Sequence, residues 1–400
     1  MSGQPQTQSQ TVSQNDKIFS RDFLYIWIAN FFIFLGFQMT IPTIPLFVKD
    51  LGGSDQMVGI IVGIFTFSAL LIRPYAGHAL ESKGRGYVYL IGLAIFVLSV
   101  GAFAFTASML FLIIIRIIQG VGWGFSTTAG GTVATDLIPP KRRGEGMGYF
   151  GLSGNIALSF GPSLGLTLVV LISYQQLFLL CALGGVLAFL FAMRIRYKKV
   201  DPAHQTRVAR FDVLEKSALQ PSILLFFITF AFGGIATFLP LHAIERGVEG
   251  IQLYFFIFAV FIMISRLFSG RLYDRKGHKL IFLPAVSLIL ISMLLLAWLP
   301  NTTVLLTAAA LFGLGFGAVQ PALQAWAVNQ APADRKGMAN ATFFSCFDLG
   351  VGIGAILFGQ IAAILNYTSI YLTAAASIVI SILIYVFTVL GKSSDNVKVG

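Results

Sequence analysis

Charge is what this chain has least of. Only 11% of its 400 residues are Asp, Glu, Lys or Arg while 56% are hydrophobic, and a soluble globular protein carries about twice that share of charge. A surface built to face water on all sides is excluded. The two cysteines, Cys181 and Cys346, both fall in apolar stretches, which excludes a disulfide framework. Four scattered histidines and no clustered carboxylates leave neither a catalytic constellation nor a metal-ligand spacing, so an enzyme working at a membrane face is set aside. No Gly-Lys-Ser/Thr phosphate loop occurs, so work done by the protein must draw on a gradient and not on ATP. No cofactor and no metal is expected.

Long apolar runs are what the chain has instead. Twelve of them begin near Phe23, Met57, Tyr87, Met109, Met147, Tyr174, Pro221, Ile251, Leu280, Thr303, Met338 and Thr368. Each is long enough to cross a hydrocarbon core of about 30 Å. The net charge of +11 would suit nucleic acid if it were clustered. With both termini cytoplasmic, however, Arg73, Arg116 and Arg266 lie inside spans and only Lys49 and Arg246 face outward. The other Lys and Arg fall in tails and even-numbered loops. That is the positive-inside pattern, which fixes the orientation of a multi-pass membrane protein and leaves no role for a nucleic-acid partner.

Residues 1–19, rich in Ser, Gln and Thr, read as a disordered cytoplasmic tail, without the basic-then-apolar plan of a cleaved signal. Residues 196–220 read as a cytoplasmic central loop whose basic residues tether it to an anionic leaflet, with a regulatory partner site as the alternative. That loop separates an N-terminal unit, 20–195, from a C-terminal unit, 221–390. Residues 391–400 form a second cytoplasmic tail.

The two units repeat each other. Arg73, Gly77, Glu81 and Gly84 recur as Arg266, Gly270, Asp274 and Gly277, an offset of 193 positions. At the same offset Gly120, Gly122 and Gly124 recur as Gly313, Gly315 and Gly317, and Pro139, Arg142, Gly144, Phe150 and Gly161 as Pro332, Arg335, Gly337, Phe343 and Gly354. The predicted fold is an all-α integral membrane protein, with twelve transmembrane helices in two pseudo-symmetric six-helix bundles. A duplicated unit laid out in a membrane points to transport.

Four motifs carry a family resemblance. Gly77-His-Ala-Leu-Glu81-Ser-Lys-Gly84-Arg85, placed between spans 2 and 3, and its closer-matching twin Gly270-Arg-Leu-Tyr-Asp274-Arg275-Lys-Gly277 resemble the cytoplasmic-loop signature of the major facilitator superfamily. Glycines there permit a tight turn and close approach of the other half, and the acid suits the positive end of a facing helix. In the family this loop gates the cytoplasmic side, the acid facing the start of span 11. Glu81 stands where the pattern has Asp, and Ser82 where it has a basic residue, which implies a weaker first latch.

Arg116-Ile-Ile-Gln119-Gly120-Val-Gly122-Trp-Gly124 resembles the family's span-4 signature, associated with proton transfer in its antiporters. A guanidinium does not give up its proton, so Arg116 is expected to bias a nearby acid or to bind an anionic group. The competing reading is a structural residue bonded to backbone carbonyls. Gly161-Pro162-Ser-Leu-Gly165 resembles the Gly-Pro span-5 signature of proton-coupled exporters, with Ala157 where the fuller pattern has glycine. Over residues 20–390 the chain is similar to the twelve-span drug and sugar efflux branch.

Asp348 is the one acid deep in a span, about eleven residues and roughly 16 Å along it at the helical rise of about 1.5 Å per residue. Its counterpart in the first half is Asn155. An intramembrane acid is a functional residue by default, and Asp348 is expected to carry the coupling proton. The alternative is a protonated Asp bonded to a neighbouring helix. Asp136 and Glu145 are weaker candidates, and His242 is expected to serve mainly as an interfacial hydrogen-bonding residue.

The resemblance implies a midplane site among spans 1, 4, 7 and 10, offering Asn30, Phe34, Gln38, Gln119, Trp123, Phe232, Gln320 and Gln324. Few charges and many aromatics suit a small amphipathic solute. The implied function is export of such a solute in exchange for protons by a monomer, its partners being solute, protons and membrane lipids. A proton-coupled importer and, more remotely, a non-transporting sensor on the same scaffold remain as alternatives.

Overall fold

Twelve helices carry the chain back and forth between two faces. The computed structural model describes residues 18–139, 142–198, 214–332 and 335–390. The expected disorder of the tails and the tether in the central loop fall on residues 1–17, 199–213 and 391–400, which lie outside the described residues. The first half comprises α1 Arg21–Asp50, α2 Asp55–Ser82, α3 Arg85–Phe103, α4 Met109–Leu137, α5 Arg143–Leu171 and α6 Tyr174–Met193. The second comprises α7 Leu219–Glu245, α8 Ile251–Lys276, α9 Lys279–Trp298, α10 Thr302–Gln330, α11 Lys336–Ile364 and α12 Tyr367–Tyr385. All twelve include a segment long and apolar enough to span a membrane. Each begins within about one helical turn of the start expected from hydropathy.

Helix starts follow two chemistries, side-chain caps and glycine turns; Ser20 caps α1, and α8 starts after Gly250 at φ 87°. At the end reached by the odd-numbered helices, Ser54, Ser108, Ser173, Asn301 and Asn366 cap α2, α4, α6, α10 and α12. Each side-chain oxygen accepts a backbone N–H of the first turn. At the opposite end, which carries the Lys- and Arg-rich loops and is called the basic end here, α3 starts after Gly84 at φ 100°. The chain enters the α9 turn through Gly277 at φ 68°. Left-handed backbone of this kind is where glycine is required. The twin glycines therefore make the twin turns.

The repeat is legible in the packing. Glycines let helix backbones touch where any side chain would hold them apart. A Cβ on Gly120 would strike Phe65 O and Ser68; one on Gly313 would strike Phe258 O and Phe261, the same places 193 positions on. Gly122 packs on Gly92 and Phe96 of α3, and Gly315 on Ala285 and Ile289 of α9. Gly124 meets Ala69 and Ile72, and Gly317 meets Ile262 and Ser265. Glycine strips thus seat α4 between α2 and α3, and α10 between α8 and α9. Aromatic stacks fill the spaces beside them: Trp123 lies 4.1 Å from Phe37 and 5.4 Å from Phe96, centroid to centroid. Phe232 lies 5.5 Å from Phe316.

The halves meet mainly through α2 against α11 and α5 against α8. Gly59 packs on Ala355 and Gly359, Gly63 on Ile356, and Gly352 on Thr66. Gln56 Nε2 donates to Gln360 Oε1 at 2.8 Å, and Tyr367 Oη donates to Asp55 Oδ1 at 2.6 Å. Phe160 and Phe256 face each other across α5 and α8 at 6.3 Å. Every one of these contacts lies in the half of the membrane away from the basic end. Toward the basic end, Gly77, Gly131, Gly148 and Gly151 have nothing within 4 Å of where a Cβ would be. Among the described residues, the contacts that join the halves gather at the end away from the basic one.

Candidate transport site

Among the described residues, the deepest polar contact between the halves is an ion pair at the limit of this zone. Arg73 Nη2 of α2 lies 2.9 Å from Asp348 Oδ2 of α11, and Arg73 Nη1 donates to Thr127 Oγ1 of α4 at 3.3 Å. Helix periodicity explains the aim. Arg73 follows the face of α2, carrying Phe65 and Ala69, that packs on α4, and is turned from it toward α11. The side chains keep 27% and 24% of their surface exposed. The pair is therefore not sealed within the helix packing.

Arg116 is placed differently from the expectation that it biases an acid. It is buried within the first half, where its Nε donates to Ile61 O of α2 at 3.1 Å and its Nη1 to Gln119 Oε1 at 2.7 Å. The guanidinium carbon sits 4.5 Å from the Phe65 ring centroid, a cation–π arrangement. These contacts bind α4 to α2, and the acid expected nearby is instead engaged by Arg73. Sequence reading placed Arg73 inside a span and used it as a repeat marker, but gave it no role. The signal that could have found it is its depth in a span, equal in kind to that of Asp348.

The loop motif also differs from expectation. Gly77 to Ser82 are helical, and only Lys83 and Gly84 turn. The physical reason is that the helix continues its own hydrogen bonding, Lys83 N donating to Ala79 O at 2.8 Å. Gly77 permits no close approach here, since it faces open space. Arg85 joins elements of its own half, its Nε 3.1 Å from Asp136 Oδ2 of α4 and its Nη1 donating to Leu80 O. In the twin, Gly270, Asp274 and Arg275 lie on α8 before the Gly277 turn; the side chains of Glu81, Asp274 and Arg275 lie outside the described residues. Glu145 pairs with Arg142, three residues before it.

The span-5 motif packs inside the first half. A side chain on Gly161 would strike Gln38, and one on Gly165 the backbone of Met39. Pro162 lies within α5, so the motif brings that helix against the Pro42- and Pro45-bearing helix α1. Of the expected cavity residues, Gln119 and Trp123 are packed between helices, and Gln38 is buried under Gly161. Asn30 Nδ2 donates to Ser153 Oγ at 2.8 Å, which joins α1 to α5. Phe34 rests 4.8 Å from Trp123. Gln320 donates to Gln324, and Gln324 donates to Asn340 of α11 at 2.8 Å, a half-buried polar chain on the basic side of the Phe232 stack. His242 is fully buried, its Nε2 3.0 Å from Leu296 O.

Sequence reading missed the contacts gathered at the far end. Lys49 Nζ lies 2.8 Å from Asp55 Oδ1, the same carboxylate that accepts from Tyr367 of the other half. The spacing of Gly59 and Gly63, small residues four apart, was the available signal.

The family model for the Major Facilitator Superfamily matches residues 26–354 and 301–399. The chain belongs to the Major Facilitator Superfamily. Its members are transporters, which accounts for the lack of a catalytic constellation, and the chain is a multi-pass membrane protein that carries a small molecule. Among similar proteins, the staphylopine export protein of Staphylococcus aureus is 22% identical over 372 residues, covering 90% of this chain and 94% of that one. The quinolone resistance protein NorA of the same species is 24% identical over 380 residues, with the same coverage. A crystal structure of the nucleoside transporter NupG superposes with a TM-score of 0.75 at 13% identity, covering 92% of this chain and all of that one. That likeness concerns the superfamily fold.

Proposed function

We propose that this superfamily member is a secondary active exporter. It moves a small amphipathic organic solute, drug-like or sugar-like, out of a bacterial cell in exchange for protons, as a monomer in the inner membrane. The basic end, with both termini, faces the cytoplasm.

The observation that carries the reading is the Arg73–Asp348 pair, formed between the halves in a structure whose joining contacts gather away from its basic end. In this reading Asp348 is ionised while Arg73 holds it, its proton having left toward the cytoplasm. When α2 and α11 separate to open the outer side, the pair breaks and Asp348 takes a proton from outside. Solute leaves by the same opening, and return to the present state releases the proton inward. One proton site visited from alternate sides makes an exchange cycle. Arg116 holds α2 in position and so acts on Arg73 without touching it. The Gly161-Pro162-Gly165 packing of α5 on α1 and the likeness to the staphylopine export protein support the outward direction.

The test uses inside-out vesicles carrying a pH-gradient dye. A panel of lipophilic and sugar-like compounds, a quinolone included, is added to wild type and Asp348→Asn. A compound-specific collapse of the gradient, absent in the variant, is the expected result. Solute-driven proton movement that survives unchanged in Asp348→Asn would refute the proton assignment.

A further inference from the structure

Repetition places a second arginine where the first one has an acid, and leaves it without one. Arg266 of α8 is the counterpart of Arg73, Gln320 of Thr127, and Asn155 of Asp348. On α8, Phe258, Ile262, Ser265 and Ser269 are buried while Met263, Ile264, Leu267 and Phe268 are exposed. Arg266, one turn beyond Ile262, falls on the buried arc. Ser265 Oγ donates to Leu314 O of α10 at 2.7 Å, which fixes the α10-facing edge of that arc. Phe256 meets Phe160 and fixes the α5-facing edge. Arg266 lies between the two edges, as Arg73 lies between α4 and α11.

The partners differ. Arg73 has Thr127 and Asp348. Among the described residues no hydrogen bond or ion pair reaches Arg266; the Nε of each arginine is buried without an acceptor, but only Arg73 has partners for its Nη atoms. Of the helices packed around α8, the described acids are Glu145, held by Arg142 at the basic end of α5, and Glu245 at the far end of α7. A guanidinium at this depth is costly unless something compensates it, and duplication supplied the cation without the acid.

We propose that a carboxylate on the transported solute fills this vacancy. It occupies the place of the Asp348 carboxylate in the mirrored site, paired with Arg266 and accepting hydrogen bonds from the amides of Asn155 and Gln320. A guanidinium fork matches two carboxylate oxygens, and neutral amides donate to them without adding charge. The inference rests on the exporter reading for the solute's route, and it names the solute class as amphipathic monocarboxylates.

The full chain is purified in detergent, and its melting temperature followed with benzoate, 4-phenylbutyrate and indole-3-acetate, each beside its primary amide. At least one carboxylate is expected to raise the melting temperature more than its amide does. Arg266→Gln is expected to weaken that apparent affinity at least tenfold. Asn155→Asp is expected to weaken it too, because it supplies an internal carboxylate to Arg266; this variant keeps the test sharp if Arg266→Gln folds poorly. Equal shifts with carboxylates and amides overturn the proposal, as does a carboxylate shift that persists in either variant. Asp348→Asn in the same assay separates the two readings. Carboxylate stabilisation is expected to persist there; if solute-driven proton movement in vesicles also persists unchanged, the proton assignment falls and the carboxylate site stands.

Discussion

Arg73 and Asp348 are far apart in sequence and in contact in space, 275 positions separating them. The depth of Asp348 in an apolar run was legible, because an acid there has no other explanation than function or a partner. Its partner was not, because periodicity within α2 and α11 says nothing of which helices meet. Breaking a fully buried ion pair from one side costs about 3–5 kcal/mol, and replacing both members costs far less. Partial exposure lowers that figure here. Arg73→Gln and Asp348→Asn should each lower the melting temperature of the purified protein, and the double variant should recover part of the loss. Additive losses would mean that the two charges do not act as a pair. Arg116→Gln should lower stability and move the pH profile of transport less than Asp348→Asn does, because its contacts are Ile61 and Gln119 and it reaches Arg73 only through α2.

At the scale of elements, glycines do two jobs that composition alone does not separate. Gly122 and Gly315 lie against backbone, and overpacking such a contact costs about 1–3 kcal/mol. Gly315→Val should therefore lower the melting temperature clearly. Gly77, Gly148 and Gly151 face open space in this structure. Gly148→Val should keep a near-wild-type melting temperature yet slow transport, because the basic end must close in the other half of the cycle. Normal transport in that variant would deny this face a closing role. The Gly77 motif was read from its glycines as a loop, and the chain keeps it helical to Ser82 because continuous backbone hydrogen bonds outweigh the weak preference of isolated glycines. Only the positive φ at Gly84 and Gly277 marks the true turns.

Glu215, just before α7, ties that helix to α11. Its carboxylate accepts from Ser217 Oγ at 2.8 Å and pairs with Arg335 at 2.6 Å, and its N–H donates to Thr342 Oγ1. The hydrogen bonds from Ser217, and then the Arg335 charge, hold the Glu215 carboxyl below its ordinary value of 4.5. A carboxylate depressed on folding stabilises fully above its unfolded value, and that contribution fades as pH falls through the folded value. Melting temperatures of wild type and Glu215→Gln should therefore differ at neutral pH and converge in acid, once pH has fallen through the depressed folded value. A difference that stays constant into acid would remove Glu215 from the account.

For the whole molecule, the sequence disclosed the twelve helices and the twofold repeat, because hydropathy and a constant offset survive without any knowledge of contacts. It did not disclose at which end the joining contacts gather. That is a property of one state of two, and one sequence must encode both. The account holds that the Arg73–Asp348 pair links this state to proton release, so it separates driven transport from mere exchange. The direct test reconstitutes wild type and Asp348→Asn in proteoliposomes with a carboxylate solute that binds. Solute-for-solute exchange and pH-gradient-driven accumulation are then measured side by side. The predicted result is that the variant exchanges solute but no longer accumulates it under a gradient. Gradient-driven accumulation at the wild-type rate in Asp348→Asn would contradict the account.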